Sequence, residues 1–272
     1  QVVQQELDLI LGSGCISVRD TLPSIEMWNY RNHARFTVGR NGHLGFVNRY
    51  KHFFTEIENC MIMHPRINQI LEQLQGCCAE TTQVTVRTAV NGNGFLVQPD
   101  LTDPVIPLET GQAYYHEQLH GYPFRVASPS FFQVNVPQAE RMVELARSYL
   151  GLSGEESLVD AYAGVGTFAV LLSPYVRHVI AIEESSSAVR DAEINSQHIA
   201  NVTIKQGRAE DVFATLEQAP DIVVIDPPRV GCHPRFLTAI KRLQPNRIAY
   251  VSCNPKALAR DLSILCDGTY RL

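Results

Sequence analysis

No stretch of the 272 residues approaches the roughly 18 consecutive apolar positions that a membrane-spanning helix requires, and no charged-then-apolar signal segment opens the chain. The expected location is therefore the cytoplasm, with no membrane partner. An even, regular cysteine framework is missing too. The cysteines number seven, scattered at Cys15, Cys60, Cys77, Cys78, Cys232, Cys253 and Cys266, which argues for reduced thiols rather than a secreted disulfide scaffold. No internal repeat or low-complexity segment occurs. With 45% hydrophobic and 19% charged residues, the chain reads as ordinary globular protein, neither fibrous nor disordered.

A basic excess is lacking as well. The formal net charge is -5, and taken alone this counts against a nucleic-acid partner, whose non-specific affinity comes mainly from Lys and Arg neutralising phosphates. Locally the balance reverses. Between Trp28 and Phe54 there is no Asp or Glu, while Arg31, Arg35, Arg40, Arg49, Lys51, three histidines and several aromatics are present. Local patches weigh more than totals in steering a charged partner.

What is present divides the chain into two halves, long enough together for two cores. Up to about Tyr122, short alternating runs such as Arg35–Val38 and Gln83–Val90 are followed by the turn signals Arg40-Asn41-Gly42 and Asn91-Gly92-Asn93-Gly94. That combination predicts antiparallel hairpins. A short helix is expected over His64–Leu74. The second half opens with a helix over Pro137–Leu150. Apolar runs at Ser157–Val159, Val179–Ile182, Ile222–Ile225 and Ile248–Val251 then alternate with helical stretches such as Ala188–Ile199 and Pro234–Leu243. Nearly continuous apolar strands separated by helices predict an α/β domain whose parallel sheet is covered on both faces and binds ligands at the strands' carboxyl ends.

Each of the four runs ends in residues able to do chemistry. Asp160 leads into Tyr162-Ala163-Gly164-Val165-Gly166-Thr167, a strand, glycine turn and helix start of the kind that NAD, FAD and S-adenosylmethionine enzymes share; a plain tight turn is the bland alternative. Glu183 follows the second run, where an acidic side chain can accept from ribose hydroxyls or merely stabilise a helix start beside Glu184. Asp226-Pro227-Pro228-Arg229 follows the third, a carboxylate and two fixed φ angles that form a rigid ledge for a flat base, or a structural turn. Cys253 follows the fourth. Asn254 is a good N-cap and Pro255 suits the first helical position, so a helix is expected to start there. A thiol beside a helix start can be favoured as the thiolate nucleophile, although a lone cysteine after a strand is often only a small buried hydrophobe.

Taken together, these motifs resemble the tRNA and ribosomal RNA uracil-5-methyltransferases. The resemblance runs almost the whole length: Tyr30-Arg31-Asn32-His33-Ala34-Arg35-Phe36, Leu44-Gly45-Phe46, Ser130-Phe131-Phe132-Gln133-Val134-Asn135, Asp160 to Phe168, Asp226 to Arg229, Val251 to Pro255 and Leu258-Ala259-Arg260-Asp261-Leu262. It implies a Rossmann-like methyltransferase domain with a mostly parallel sheet over residues 123–272, preceded by a smaller α+β domain with antiparallel strands over residues 1–122. It also implies S-adenosyl-L-methionine held by Gln133, Tyr162, Thr167, Glu183 and Asp226, with Cys253 as the nucleophile that adds to uracil carbon 6. No resident metal and no obligate protein partner are implied. Arg208 stands where members often carry Asp or Asn near the adenine, and so is not among the expected cofactor residues.

The resemblance also sets expectations beyond the chain. The family's catalytic Glu falls after the segment resembling Gly268–Leu272, and members carry sequence before the position of Gln1, in some with three cysteines of an iron–sulfur site whose fourth resembles Cys60. Cys60 alone cannot hold a cluster. The expectation is thus a fragment, with Cys60 a structural cysteine. In the first half, Arg31, Arg35 and Arg40 are candidates for phosphate contacts with tRNA or ribosomal RNA, and Phe36 or Phe46 for base stacking or core packing. Two other readings compete: an amino-group methyltransferase, which leaves Cys253 without a role, and a non-catalytic RNA-binding module that retains the fold.

Overall fold

The computed structural model describes residues 1–12, 14, 16–92 and 94–272. Ser13, Cys15 and Asn93 lie outside the described residues, and with them one of the seven thiols and the third position of the Asn91–Gly94 turn. Packing divides the chain into two units, Ser24–Met142 and a discontinuous one formed by Gln1–Pro23 with Val143–Leu272. In chain order the elements begin with α1 (Val2–Leu11), β1 (His33–Val38), β2 (Leu44–Val47), β3 (Phe54–Glu56), α2 (Pro65–Leu74), β4 (Gln83–Thr88), β5 (Phe95–Gln98), β6 (Tyr114–Leu119), β7 (Tyr122–Ala127) and α3 (Val136–Leu150).

In the Ser24–Met142 unit, the expected alternation forms an antiparallel sheet of order β3-β2-β1-β4-β5, with β6 and β7 as a separate hairpin. Asn41 takes a left-handed φ of 61° in the turn joining β1 to β2, which is the conformation that made Asn-Gly a turn signal. His64 caps α2 by accepting from the Arg66 amide, with Pro65 at the first position. Alternate residues of β1 and β4 point inward, so Ala34, Phe36, Val84 and Val86 meet Ile67, Leu71 and Leu74 of α2 in one core. The β6–β7 hairpin was not foreseen, although its burial alternates strictly along Tyr114–Leu119. Its inward positions include Glu117, a polar residue that breaks the apolar pattern. Glu117 is buried because it accepts from the amides of Val90, Asn91 and Gln118.

The other unit continues with β8 (Ser157–Ala161), α4 (Thr167–Leu172), β9 (His178–Glu183), α5 (Ser186–Ser196), β10 (Val202–Gln206), α6 (Ala209–Ala214), β11 (Ile222–Ile225), α7 (Pro234–Leu243), β12 (Arg247–Tyr250) and α8 (Pro255–Leu265). All strand pairs are parallel, in the order β10-β9-β8-β11-β12. Together with the antiparallel sheet of the first unit, this is the α/β architecture that the sequence pattern predicts. Strand β10 escaped that pattern because it is an edge strand, in which only Val202 and Ile204 are apolar and no position is fully buried. Strand β11, buried at all four residues, shows the opposite extreme. Phe213 and Phe236 pack edge to face at 5.1 Å in the core beneath the sheet. Helix α1 joins this unit by burying Leu7 against Ala259 and Leu262 of α8.

Candidate active site

Strand β8 pairs with β9 on one side and β11 on the other. The chain therefore leaves the middle of the sheet in opposite directions, and a crevice opens beyond the strands' carboxyl ends. Register sets the level: Ala161 lies opposite Ile182 and Ile225, and Ile225 opposite Tyr250. The next residues, Tyr162, Glu183 (the last of β9), Asp226 and Val251, consequently stand side by side at the sheet's carboxyl edge.

Tyr162 adopts φ 72°, a left-handed conformation uncommon outside glycine, and its amide donates to Ile182 O at 3.0 Å. Its half-buried ring stands edge-on to Phe236 at 5.7 Å. The turn continues through Gly164, φ +55°, where an added Cβ would meet nothing within 4 Å, so the backbone here faces open space. Glu183 is tied to that turn. One carboxylate oxygen accepts from the Gly164 amide and the other from the Ser185 amide, both at 2.8 Å. Each oxygen keeps a further lone pair for a ligand hydroxyl. Thr167, half-buried, opens α4.

Asp160 is fully buried at the end of β8. Its Oδ2 accepts from the Ala169 amide at 2.9 Å, whereas Oδ1 is buried with no partner among the described residues. Burial, with the nearby carboxylates of Asp226 and Glu183, pushes its pKa up to about 7. Burial likewise raises Asp226 to about 6. Three carboxylates thus share one crevice, a negative field that suits a cationic ligand. A pyrophosphate would meet that field, and would find the Gly164 amide already engaged by Glu183.

Cys253 is exposed. Directly after it, Asn254 caps α8 by accepting from the Lys256 amide at 3.2 Å, with Pro255 at the first helical position, as the sequence predicts. The Asn254 Nδ2 also donates to Arg229 O at 2.8 Å, joining the loop after β12 to the Asp-Pro-Pro-Arg segment after β11.

The parallel unit by itself brings together Tyr162, Thr167, Glu183, Asp226 and Cys253. Gln133 belongs to the Ser24–Met142 unit, between β7 and α3, where its carbonyl accepts from Asn32 Nδ2 at 3.2 Å. Arg208, set aside by the sequence reading, precedes α6 and pairs with Glu184 at 3.2 Å on the surface. Asp160, the acid that ends the first apolar run, was not among the expected cofactor residues.

In the Ser24–Met142 unit, Phe36 is fully buried and stacks with half-buried Phe46 at 5.6 Å, so Phe36 packs the core and is not free to stack on a base. Arg35 and Arg40 are exposed, and Arg35 Nε donates to Gln83 Oε1 at 2.9 Å. Half-buried Cys60 has both its amide and its carbonyl bound by the Asn68 side chain, at 3.0 and 3.1 Å. Among the described residues no group of three or more His, Cys, Asp or Glu is gathered for a metal, and no helix is long and apolar enough to cross a membrane.

Residues 108–271 match the family model described as tRNA (uracil-5-)-methyltransferase. An uncharacterised RNA methyltransferase of Halalkalibacterium halodurans is 30% identical, the alignment covering 98% of this chain and 71% of the relative. One from Thermosynechococcus vestitus is 31% identical, over 97% and 72%. Among solved structures, the Pyrococcus abyssi tRNA (uracil-54, C5)-methyltransferase in complex with S-adenosyl-L-homocysteine has the same fold, with a TM-score of 0.79 at 23% identity over 97% of this chain and 75% of that one.

Proposed function

Because this chain belongs to the tRNA (uracil-5-)-methyltransferase family, we propose that it transfers a methyl group from S-adenosyl-L-methionine to carbon 5 of a uridine in tRNA or ribosomal RNA, with Cys253 as nucleophile. The observation that carries this reading is the meeting of three carboxylates and an exposed cysteine at the carboxyl ends of one parallel sheet. The cofactor fits what the crevice offers. It is a nucleoside with a sulfonium, an ammonium and one carboxylate but no phosphate, so its net positive charge matches a negative crevice whose glycine turn has its first amide occupied by Glu183. The open space at Gly164 leaves room for close approach. In this reading Glu183 accepts from the ribose hydroxyls, and Tyr162, Thr167 and Asp226 line the rest of the cofactor site. When bound, the cofactor supplies an electrophilic methyl group.

The residues of this chain prepare the acceptor. Uracil carbon 5 is a poor nucleophile, and addition of the Cys253 thiolate to carbon 6 pushes the electron pair of the ring double bond toward the carbon 4 carbonyl as an enolate, which makes carbon 5 nucleophilic. After methylation, loss of the carbon 5 proton to a base restores the double bond and expels the thiolate. Two moderate barriers replace one high one. The target base has to leave any stack before it can reach the crevice.

The test is incubation of the protein with S-adenosylmethionine and RNA containing 5-fluorouridine, followed by denaturing electrophoresis and mass spectrometry. Fluorine at carbon 5 leaves no proton to remove, so the adduct is trapped whichever group acts as base. A methylated protein–RNA adduct that disappears in Cys253→Ala is the expected result. No adduct, with cofactor and RNA both bound, would sink the covalent route and favour amino-group methylation or a non-catalytic RNA binder.

A further inference from the structure

The segment that follows Asp226 turns sharply, with the Gly231 amide donating to Pro228 O at 2.8 Å and Gly231 at φ +82°. A Cβ there would lie 2.5 Å from Arg260 Nη2 and 2.6 Å from Asp261 Oδ2. Helix α8 is therefore pressed onto this turn, and only glycine lets it approach so closely.

Asp261 is the centre of the contact. It has no exposed surface, yet both its oxygens are fully used. Oδ2 accepts from the Cys232 amide at 2.7 Å and the Tyr250 hydroxyl at 2.6 Å, and Oδ1 from Arg260 Nε at 2.8 Å and Nη2 at 2.6 Å. Arg260 Nη2 also donates to Val230 O at 2.8 Å. A buried carboxylate persists only where donors replace its water, and here four donors and one cation do so.

Three pieces of chain meet on this one side chain. They are the turn five to six residues after Asp226, the last residue of β12 three positions before Cys253, and the helix that starts two positions after Cys253. Asn254 adds its link to Arg229 O from the other side. The thiolate addition and the methyl transfer themselves call on neither Asp261, Arg260 nor Tyr250.

We propose that Asp261, together with Arg260 and Tyr250, is a positioning group that holds the Cys253 segment in register with the Asp226–Arg229 ledge, so that sulfur and target base meet at the attacking distance. This rests on the reading of Cys253 as nucleophile. Misplacement of reacting groups by about 1 Å costs about a hundredfold in rate even when its origin is remote from the chemistry.

The experiment compares the intact protein with Asp261→Asn, Tyr250→Phe, Arg260→Lys and Cys253→Ala. It measures methyl incorporation from S-adenosylmethionine into unmodified tRNA and ribosomal RNA transcripts, and the rate of adduct formation with their 5-fluorouridine forms. Rates are expressed per cofactor-binding site, counted by titration with S-adenosylhomocysteine, so that loss of folded protein does not enter. The expected result is that Asp261→Asn lowers kcat and the adduct rate about a hundredfold, and Tyr250→Phe about tenfold, while the cofactor Kd and the KM for RNA stay within about twofold. Arg260→Lys, which keeps the charge but loses the two-pronged contact, should fall between them.

A purely structural role would reduce the number of binding sites and leave the rate per site unchanged, and that outcome overturns the proposal. Full methylation by Cys253→Ala overturns the reading of the nucleophile and this inference with it. A dead Cys253→Ala alongside an unimpaired Asp261→Asn and Tyr250→Phe overturns the inference alone.

Discussion

Asp160 combines complete burial with an oxygen that no donor among the described residues reaches, and its pKa stands near 7. A carboxyl in that state is half ionised at neutral pH, and a cationic ligand binds the ionised form better. The sign follows directly. Binding of S-adenosylmethionine should be strongest above pH 8 and weaken as pH falls through 7, with Asp226, near 6, adding to the loss below that point. Between pH 8 and pH 6 the change from Asp160 alone is about tenfold, as the ionised fraction drops by that factor. Calorimetric titration across this range checks it, and Asp160→Asn should flatten the upper part of the profile; a flat profile in the unaltered protein would refute the coupling. Cys253, Glu183 and Asp226 were legible as chemistry in the sequence because each follows an apolar run. Asp160 was legible in the same way, after Ser157–Val159, but its complete burial and its unpartnered oxygen were not, because both depend on what packs around it.

Among the elements, those found from sequence had one cause for their existence. Strand β11 and helix α7 match the expected Ile222–Ile225 and Pro234–Leu243 because burial on both sides of the strand, or on one stripe of the helix, writes itself into consecutive residues. Strand β10 was missed for the opposite reason, as an edge strand with no fully buried position, whereas helix α1 carries apolar Val3, Leu7 and Leu11 at helical spacing against α8 that the sequence reading passed over. Helix α8 shows how an element serves the site. Its cap residue Asn254 both starts the helix beside Cys253 and reaches Arg229 O. Asn254→Ala should therefore cost about 1 kcal/mol of stability through the lost cap. It should also reduce the adduct rate with 5-fluorouridine RNA, whereas Asn254→Asp, which keeps a capping acceptor but loses the donor to Arg229, should retain most of the stability and still lose rate. Equal rates for Asn254→Asp and the unaltered protein would show that the cap alone matters. Gly231→Ala adds a Cβ against Arg260 and Asp261 in a left-handed conformation, and urea unfolding should register a loss of about 1–3 kcal/mol.

At the scale of the whole molecule, the net charge of -5 and an RNA substrate pull in opposite directions unless the positive charge is concentrated. The Ser24–Met142 unit provides the concentration. Arg31, His33 and Arg35 follow one another at every second position of an acid-free stretch, and Arg87 lies opposite His33 on β4. Burial first, then the charges of Arg87, Arg31 and Arg35, hold His33 down near pKa 4, so at neutral pH it is uncharged and reports the positive field around it. A phosphate arriving at this face would relieve part of that repulsion. Two measurements follow from the same cause. Bound RNA should raise the His33 pKa, read from its imidazole resonances during an NMR titration. Replacing Arg31, Arg35 and Arg40 together by Glu should weaken RNA binding and flatten its dependence on salt by about 0.7–0.9 in log–log slope for each phosphate contact removed, with the S-adenosylmethionine affinity unchanged. If the triple variant bound RNA with the original salt slope, the phosphate contacts would have to lie elsewhere on the chain, and the acid-free stretch would be only a solvated face.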